Sequence, residues 1–317
     1  MHKGIITVLG GSGFVGRSLC EHLVRAGYAL RVLTRSRLAA RELWPLPETQ
    51  VIAGDVYDEA FLREGLTGAS AAVNLVGILN ERGDDGRGFE RAHVELTRRL
   101  LAACAAAGVA RYLHMSALNA APDAPSHYLR SKAAAEALVA ASGLSSTIFR
   151  PSVIFGPGDG LFVRFDQLTA LAPVLPLACA SARFQPVYVG DVARAFLRAL
   201  DDKSTYGKRY DLGGPTVMSL LEIVCYALRQ RGRHRLVVPL GAGLSRLMAE
   251  VMEHLPGKPF SRDNLRSASL DSVLAAGHDG LAELHIEKTH VAAVVPTYLG
   301  QRGVLARYDR LRERAGR

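Results

Sequence analysis

Tyr128 and Lys132 stand four residues apart in the stretch SHYLRSKAAAEALVAASG. Its alanine content favours a helix, on which residues four apart share a face. With ten tyrosines and six lysines in 317 residues, chance placement would give about 0.2 Tyr-x-x-x-Lys pairs. This pair is the only one in the chain, and lysine is the rarer cation, since 33 of the 39 basic residues are arginine. The pair is either a catalytic phenol beside its lysine or two unrelated residues of one helix.

A second candidate lies at the first apolar run. VLGGSGFVGRSL places Gly10, Gly13 and Gly16 three apart between a strand-like and a helix-like segment. Glycines here permit a tight turn and let backbone N–H groups approach a pyrophosphate at the helix start. Gly10, Ser12, Gly13, Phe14, Val15 and Gly16 are therefore expected to hold a dinucleotide, with a purely structural turn as the alternative. A carboxylate at the end of the second strand would accept from the adenosine ribose 2′-OH and repel a 2′-phosphate. The sequence VLTRSRLAARE instead puts Thr34, Arg35, Ser36 and Arg37 there. Arg35 and Arg37 suit a phosphate dianion, so NADP(H) is expected over NAD(H), and Arg17 could join the same basic patch. Asp55 and Val56 end the third strand, where Asp55 could accept from the adenine amino group. Asn74, Leu75, Val76 and Gly77 end the fourth, where a small residue lets the cofactor pass.

These groups need a frame, and the first half of the chain supplies one. IITVLG, LRVLTR, VIAGDV, AAVNLVG, ARYLHMSA and SSTIFRPSV read as strands, most of them followed by Ala/Leu/Arg-rich helical patterns. That alternation predicts a parallel sheet covered on both faces. Gly27, Gly108 and Gly143 mark expected helix stops. Residues 1–156 are expected to form the dinucleotide-binding domain, with 184–213 rejoining it through FQPVYVGDVARAFLRALDD and KRYDLGG. Residues 157–183 and 214–317 are expected to form a smaller mixed C-terminal region facing substrate or partner, with helices near SLLEIVCYALRQRG, GLSRLMAEVME and SRDNLRSASLDSVLAAG.

Composition narrows the class. A hydrophobic fraction of 49% supports a sizeable core. The net charge of +9 is spread along the chain; without a long basic block interleaved with aromatics, nucleic acid is not an expected partner. Cys20, Cys104, Cys179 and Cys225 form no C-x-x-C pair and sit in apolar surroundings, which predicts buried free thiols in a reducing compartment. MHKG leaves no room for a signal peptide before the first strand, and the apolar stretch LTALAPVLPLACASA is too short to span a bilayer, so a cytoplasmic protein is expected. His285, Glu287 and His290 lack the i, i+4 spacing of a zinc helix, and no metal site is expected. The basic tail LARYDRLRERAGR could meet anionic lipid or an acidic partner, or be a solvated helix.

In their order along the chain, GGSGFVG, GDV, HMSAL, YLRSK and FRPSVIFGPGD resemble the short-chain dehydrogenase/reductase superfamily in its extended and atypical members, over residues 4–215. The run FERAHVELTRRL, HMSALNA and SHYLRSKAAAE is most similar to the branch that contains the NADPH-binding accessory subunit of respiratory complex I and its bacterial relatives. The resemblance implies an α/β fold with a Rossmann-type doubly wound parallel sheet. It also implies roles: Tyr128 exchanges a proton with a substrate hydroxyl or carbonyl, and Lys132 lowers its pKa and reaches the nicotinamide ribose. Ser116 would bond the substrate oxygen, Pro151 and Val153 would line the nicotinamide, and hydride transfer would be the cofactor's chemistry. Many members carry an asparagine of a proton-relay path on the helix before the fifth strand; here His93 takes that place. A histidine titrates near neutrality and could preserve the relay, mark a site that binds cofactor without turnover, or simply pack.

Two functions follow from different classes. One is an NADP(H)-dependent oxidoreductase or epimerase-type enzyme acting on a carbonyl or secondary alcohol of unnamed identity. The other is a non-catalytic NADP(H)-binding protein that docks on a larger complex.

Overall fold

The computed structural model describes residues 2–299 except 172, 256, 257 and 259; the basic tail at 305–317 lies outside the described residues. The chain divides into two compact units. The first opens with six strands: β1 (Ile5–Leu9), β2 (Ala29–Thr34), β3 (Thr49–Ala53), β4 (Ala71–Asn74), β5 (Arg111–Met115) and β6 (Ser145–Pro151). Between them run α1 (Phe14–Arg25), α2 (Glu59–Leu66), α3 (Arg87–Phe89), α4 (Leu96–Ala106) and α5 (His127–Ala141). The second unit takes the chain from Ser152 to Val189, with β7 (Ile154–Phe155), α6 (Phe162–Leu171), β8 (Val174–Leu177), β9 (Arg183–Phe184) and β10 (Val187–Tyr188). The first unit resumes at Gly190 within α7 (Val189–Asp201) and adds β11 (Arg209–Leu212). The second continues with β12 (Met218–Ser219), α8 (Leu220–Arg231), β13 (Leu236–Pro239) and α9 (Ala242–Glu253), while 276–286 return to the first.

The large sheet is parallel throughout, in the order β11-β6-β5-β4-β1-β2-β3. This is the doubly wound arrangement, whose order reverses between β1 and β4. β1, β4 and β5 bury nearly every residue, as strands covered on both faces must. Leu9, Leu33, Leu62, Leu66, Leu100 and Tyr112 fill one core against the helices, and Phe149 meets Phe196 at 4.2 Å between ring centres. Local chemistry starts the helices: Asp58 accepts from Phe61 N–H to cap α2, and Ser126 accepts from Leu129 N–H to cap α5. The expected stops at Gly27, Gly108 and Gly143 each lie two residues past the last helical residue.

The stretch from 184 differs from its sequence reading. Its strand does not join the large sheet: β9 pairs with β12 and β10 with β7 inside the second unit, and only α7 and β11 return. Runs of two residues carry no periodicity from which pairing could be read. The helix expected over SRDNLRSASLDSVLAAG is also shorter, Arg262–Ser267.

In the second unit α9 is turned against the usual pattern. It buries Ser245, Ala249 and Glu253, while Leu244, Leu247 and Val251 are 59%, 57% and 57% exposed. No helix among the described residues is long and apolar enough to cross a membrane. Cys20 and Cys104 are buried, Cys179 and Cys225 half-buried, and all four are free thiols.

One buried cation ties the far side of the first unit together. Arg111 donates to Ser145 O at 2.6 Å, Thr147 Oγ1 at 2.8 Å, Ala199 O at 2.6 Å and Thr205 Oγ1 at 3.0 Å. Its guanidinium also lies 4.4 Å from the Tyr206 ring centre. Arg111→Met would strand these buried acceptors, so urea unfolding should show a loss of about 2–4 kcal/mol. The exposed Arg25→Met should change the same measurement by less than about 0.5 kcal/mol.

Candidate active site

The strand order reverses between β1 and β4, and open parallel sheets hold their ligands beyond the carboxyl ends of the strands at such a switch. Gly10 leaves β1 with φ +80°, and a Cβ there would lie 3.0 Å from Leu75 C and 3.1 Å from Val76 N. The turn therefore packs directly on the backbone that leaves β4, a contact only glycine permits. A Cβ on Gly16 would lie 2.3 Å from Gly10 O, which fixes the first turn of α1 against the same loop. Gly13 donates to Gly10 O at 3.0 Å. As N-cap of α1 it offers no side-chain bond to the helix start, and no acidic residue lies in the first turn. The N–H groups of Phe14 and Val15 thus open an uncapped helix end, which suits an anion. Gly11, absent from the sequence reading, faces Val32 at 2.8 Å from a built Cβ and serves packing.

The loops after β2 and β3 share this edge, because all three strands run parallel in register, Leu9 beside Leu33 and Thr34 beside Ala53. Thr34 is buried, while Arg35, Ser36 and Arg37 are exposed. Neither Arg35 nor Arg37 forms an ion pair with a carboxylate among the described residues. Arg17 pairs with Glu42 instead. Asp55 closes its own turn by accepting from Tyr57 N–H at 2.9 Å, and Val56 is buried beside it.

The chemistry of Tyr128, Lys132 and Ser116 gathers where β4 and β5 part. Their pairing ends at Asn74 and His114, while β5 continues beside β6 as far as Met115 and Phe149. Lys132, on α5, donates Nζ–H to Met115 O at 3.1 Å, replacing the neighbour that β4 no longer offers. Gly77 makes room: a Cβ there would lie 3.2 Å from Lys132 Nζ and 3.5 Å from His93 Nε2. Ser116 donates its backbone N–H to Phe149 O at 2.7 Å. Its hydroxyl is buried and has no partner among the described residues. The same is true of both ring nitrogens of His114, two residues earlier on the same face of β5. Tyr128 is half-buried on the first turn of α5, its ring edge-on to Phe89 at 6.0 Å and to His93 at 5.6 Å. Pro151 ends β6, and Val153 follows in the second unit.

Burial sets the protonation states. It pushes the Tyr128 phenol up to about 12, which corrects the expectation that Lys132 holds it below its ordinary value. It holds Lys132 down to about 8, partly offset by Glu136. His93 falls to about 2 through burial, then the charge of Lys132, then His114. His114 falls to about 3 through burial and then Lys132. The expectation that His93 titrates near neutrality is therefore corrected: a desolvated imidazole beside an ammonium stays neutral. At pH 7 the site holds one ammonium, a protonated phenol and two neutral imidazoles.

Sequence reasoning missed several residues that build the site. Glu81, buried in the loop after β4, accepts from Gly86 N–H and Gly88 N–H, both at 2.7 Å, and so starts α3. Thr97 and Tyr112 hold Asn74, which was expected from the sequence, by accepting from its side-chain amide at 3.2 Å each. A π-turn over Glu90–Glu95 separates α3 from α4 and carries His93. The carboxylate followed by GDDG and a helix was a readable capping signal; the others depend on contacts distant in sequence.

The sequence model of the NAD dependent epimerase/dehydratase family matches residues 6–213. The chain belongs to this family. Its members bind a nicotinamide cofactor, and the glycine cradle and the uncapped end of α1 fit that group here. Among relatives, a mitochondrial NADH dehydrogenase [ubiquinone] 1 alpha subcomplex subunit 9 of Arabidopsis thaliana is 33% identical over 306 residues, 93% of this chain and 75% of that one. A ceramide reductase of Caulobacter vibrioides is 34% identical over 191 residues, 60% of this chain and 59% of that protein. Among solved structures, the dTDP-glucose 4,6-dehydratase DesIV of Streptomyces venezuelae, with NAD and DAU bound, superposes with a TM-score of 0.72 at 21% identity, over 93% of this chain and 95% of that one. At that identity the likeness is one of fold.

The displaced Lys132 pKa has a measurable consequence. Between about 8, its folded value, and the ordinary 10.5, the unfolded chain binds a proton that the folded chain does not. Stability therefore rises with pH across that window, by up to about 3 kcal/mol from this group. Urea unfolding of the cofactor-free protein from pH 8 to 10 should show this rise, and Lys132→Met should remove it. Equal slopes in both proteins would show that the ammonium is not desolvated.

Proposed function

We propose that this protein is an NADP(H)-dependent oxidoreductase that reduces a carbonyl to a secondary alcohol. The observation that carries the reading is the buried Ser116 hydroxyl, without a partner among the described residues, one residue past the strand where Lys132 docks, with the protonated Tyr128 one turn before that lysine. A dihydronicotinamide held by this site would supply the hydride for the carbonyl carbon. Ser116 donates a hydrogen bond to the substrate oxygen and fixes it. Tyr128 gives its phenolic proton to that oxygen as negative charge develops, so the C=O becomes CH–OH and the phenol becomes phenolate. Lys132 holds the nicotinamide ribose and stabilises that phenolate by its charge. The relative named a ceramide reductase and a Stigmatella aurantiaca relative named a ketoreductase, 32% identical over 175 residues, support a carbonyl substrate.

Arg35 and Arg37 are the residues proposed to select NADP(H), as two exposed guanidinium groups at the edge where the adenosine 2′-phosphate would lie. Pro151 and Val153 would line the nicotinamide, and Asp55 with Val56 the adenine.

A second reading, a complex-associated protein that holds NADP(H), is favoured by the subunit 9 relatives and by the apolar face of α9. It predicts that Leu247→Glu leaves NADPH binding intact and releases the protein from a larger assembly on size exclusion.

Under the first reading, Tyr128→Phe should lower carbonyl-dependent NADPH oxidation by about 10²–10⁴-fold while NADPH affinity stays within about threefold. Arg35→Ala and Arg37→Ala should each weaken NADPH by about tenfold and leave NADH unchanged, read by fluorescence titration. NADPH that binds tightly but is not oxidised by any of a panel of ketones, with Tyr128→Phe indistinguishable from the native protein, would overturn the enzymatic reading.

A further inference from the structure

His93 joins two parts of the site, the loop after β4 and the helix α5. Its Nε2 lies 3.1 Å from Ile78 N, in the loop that follows β4 and meets the glycine turn. Its Nδ1 lies 2.7 Å from Ser131 Oγ on α5. Ser131 in turn donates to Tyr128 O at 2.8 Å. These bonds fix the tautomer. Ile78 N–H can only donate, so Nε2 accepts and carries no proton. Ser131 has one hydroxyl hydrogen and spends it on the Tyr128 carbonyl, so its oxygen accepts from Nδ1–H. The ring is thus neutral with both nitrogens used inside the protein, and neither is left to pass a proton.

We infer that His93 is a positioning residue, a neutral clamp that ties the cofactor-facing loop Leu75–Ile78 to the first turn of the helix bearing Tyr128. The inference rests on the proposed roles of Tyr128 and of that loop. The π-turn is what makes the clamp reachable: its wider turn carries His93 in Glu90–Glu95, where the imidazole is 2% exposed and stacks edge-on against Tyr128. Gly77 is the matching concession, since its missing side chain leaves Nε2 a path to the loop. The charged and titratable groups around the ring are Lys132 and Tyr128 from α5 and His114 from β5. The cation among them opposes a second proton on the imidazole.

The two bonds predict two separable effects. His93→Phe loses both; it should weaken NADPH binding by about tenfold and lower kcat at saturating cofactor by about 10²-fold through misplacement of Tyr128. His93→Gln keeps an acceptor within reach of Ile78 N–H and should restore NADPH affinity but not kcat. Ser131→Ala frees only the α5 side and should likewise lower kcat with affinity unchanged. In each variant the shape of the kcat pH profile should be that of the native protein, because no proton travels through the ring. Ring 15N NMR of the native protein, assigned by the signal lost in His93→Gln, should show the Nδ1–H tautomer unchanged from pH 5 to 8.

A ring that titrates in that range, an Nε2–H tautomer, or His93→Phe with affinity and kcat both within twofold of native would each overturn the clamp. Binding and NMR need no turnover, so the clamp and the reductase reading fail separately. Loss of NADPH affinity in His93→Phe beside an inert Tyr128→Phe would leave the clamp standing and remove the enzyme.

Discussion

A parallel strand cannot end without leaving backbone groups to be satisfied, and the site is built on one such ending. β4 stops beside His114 while β5 runs on, so the Met115 carbonyl loses the neighbour that pairing would supply. A buried carbonyl without a donor costs about 1–3 kcal/mol. Lys132 satisfies it with its ammonium, and that bond places the charge at the end of β5, where β4 has stopped. The lysine's position is therefore as much a product of sheet geometry as of chemistry. The same parting gives Gly77 its role, because the departing strand must pass the ammonium without a side chain in the way.

One charge then governs the protonation of everything around it. Burial alone would keep two histidines neutral, and the ammonium reinforces that. The ammonium itself is destabilised by the desolvation that gives it reach, and Glu136 recovers part of the loss. Glu136 is also the carboxylate of a close ion pair with Arg150 on β6, so the pair that anchors α5 to the sheet moderates the lysine one turn away. Packing and electrostatics here are one arrangement of a helix against a strand, and neither can change without the other.

What could be read from the sequence was local. The glycine turn, the absence of an acid after β2, the Tyr-x-x-x-Lys spacing and the strand–helix alternation are all short-range patterns, and the family match and the seven-stranded sheet agree with the fold they implied. What could not be read depends on contacts between distant segments. The state of His93 is set by Ile78 and Ser131, 15 and 38 residues away, and nothing in ERAHVEL signals a π-turn. His114 looked like an ordinary strand residue, because the loss of its partners follows from where β4 ends. The two-residue strands β9 and β10 carry too little pattern to reveal that they pair within the second unit. The exposed apolar face of α9 was hidden for the opposite reason: its periodicity is that of any amphipathic helix, and only the fold determines which side is buried.

The buried polar groups also bear on whether the site catalyses or only binds. Holding a dinucleotide needs the glycine turn, the uncapped end of α1, basic residues for a phosphate and a lysine for a ribose. None of these requires an unpaired hydroxyl at Ser116 or a phenol raised by burial. The Ser116 hydroxyl is a cost to the folded chain, since an alanine at position 116 would remove an unsatisfied polar group. Strain of this kind is retained where a ligand repays it. A substrate oxygen accepting from Ser116 would do so. The unsatisfied Ser116 hydroxyl is thus the physical feature that weighs toward turnover, and the exposed apolar face of α9 weighs separately toward a protein neighbour.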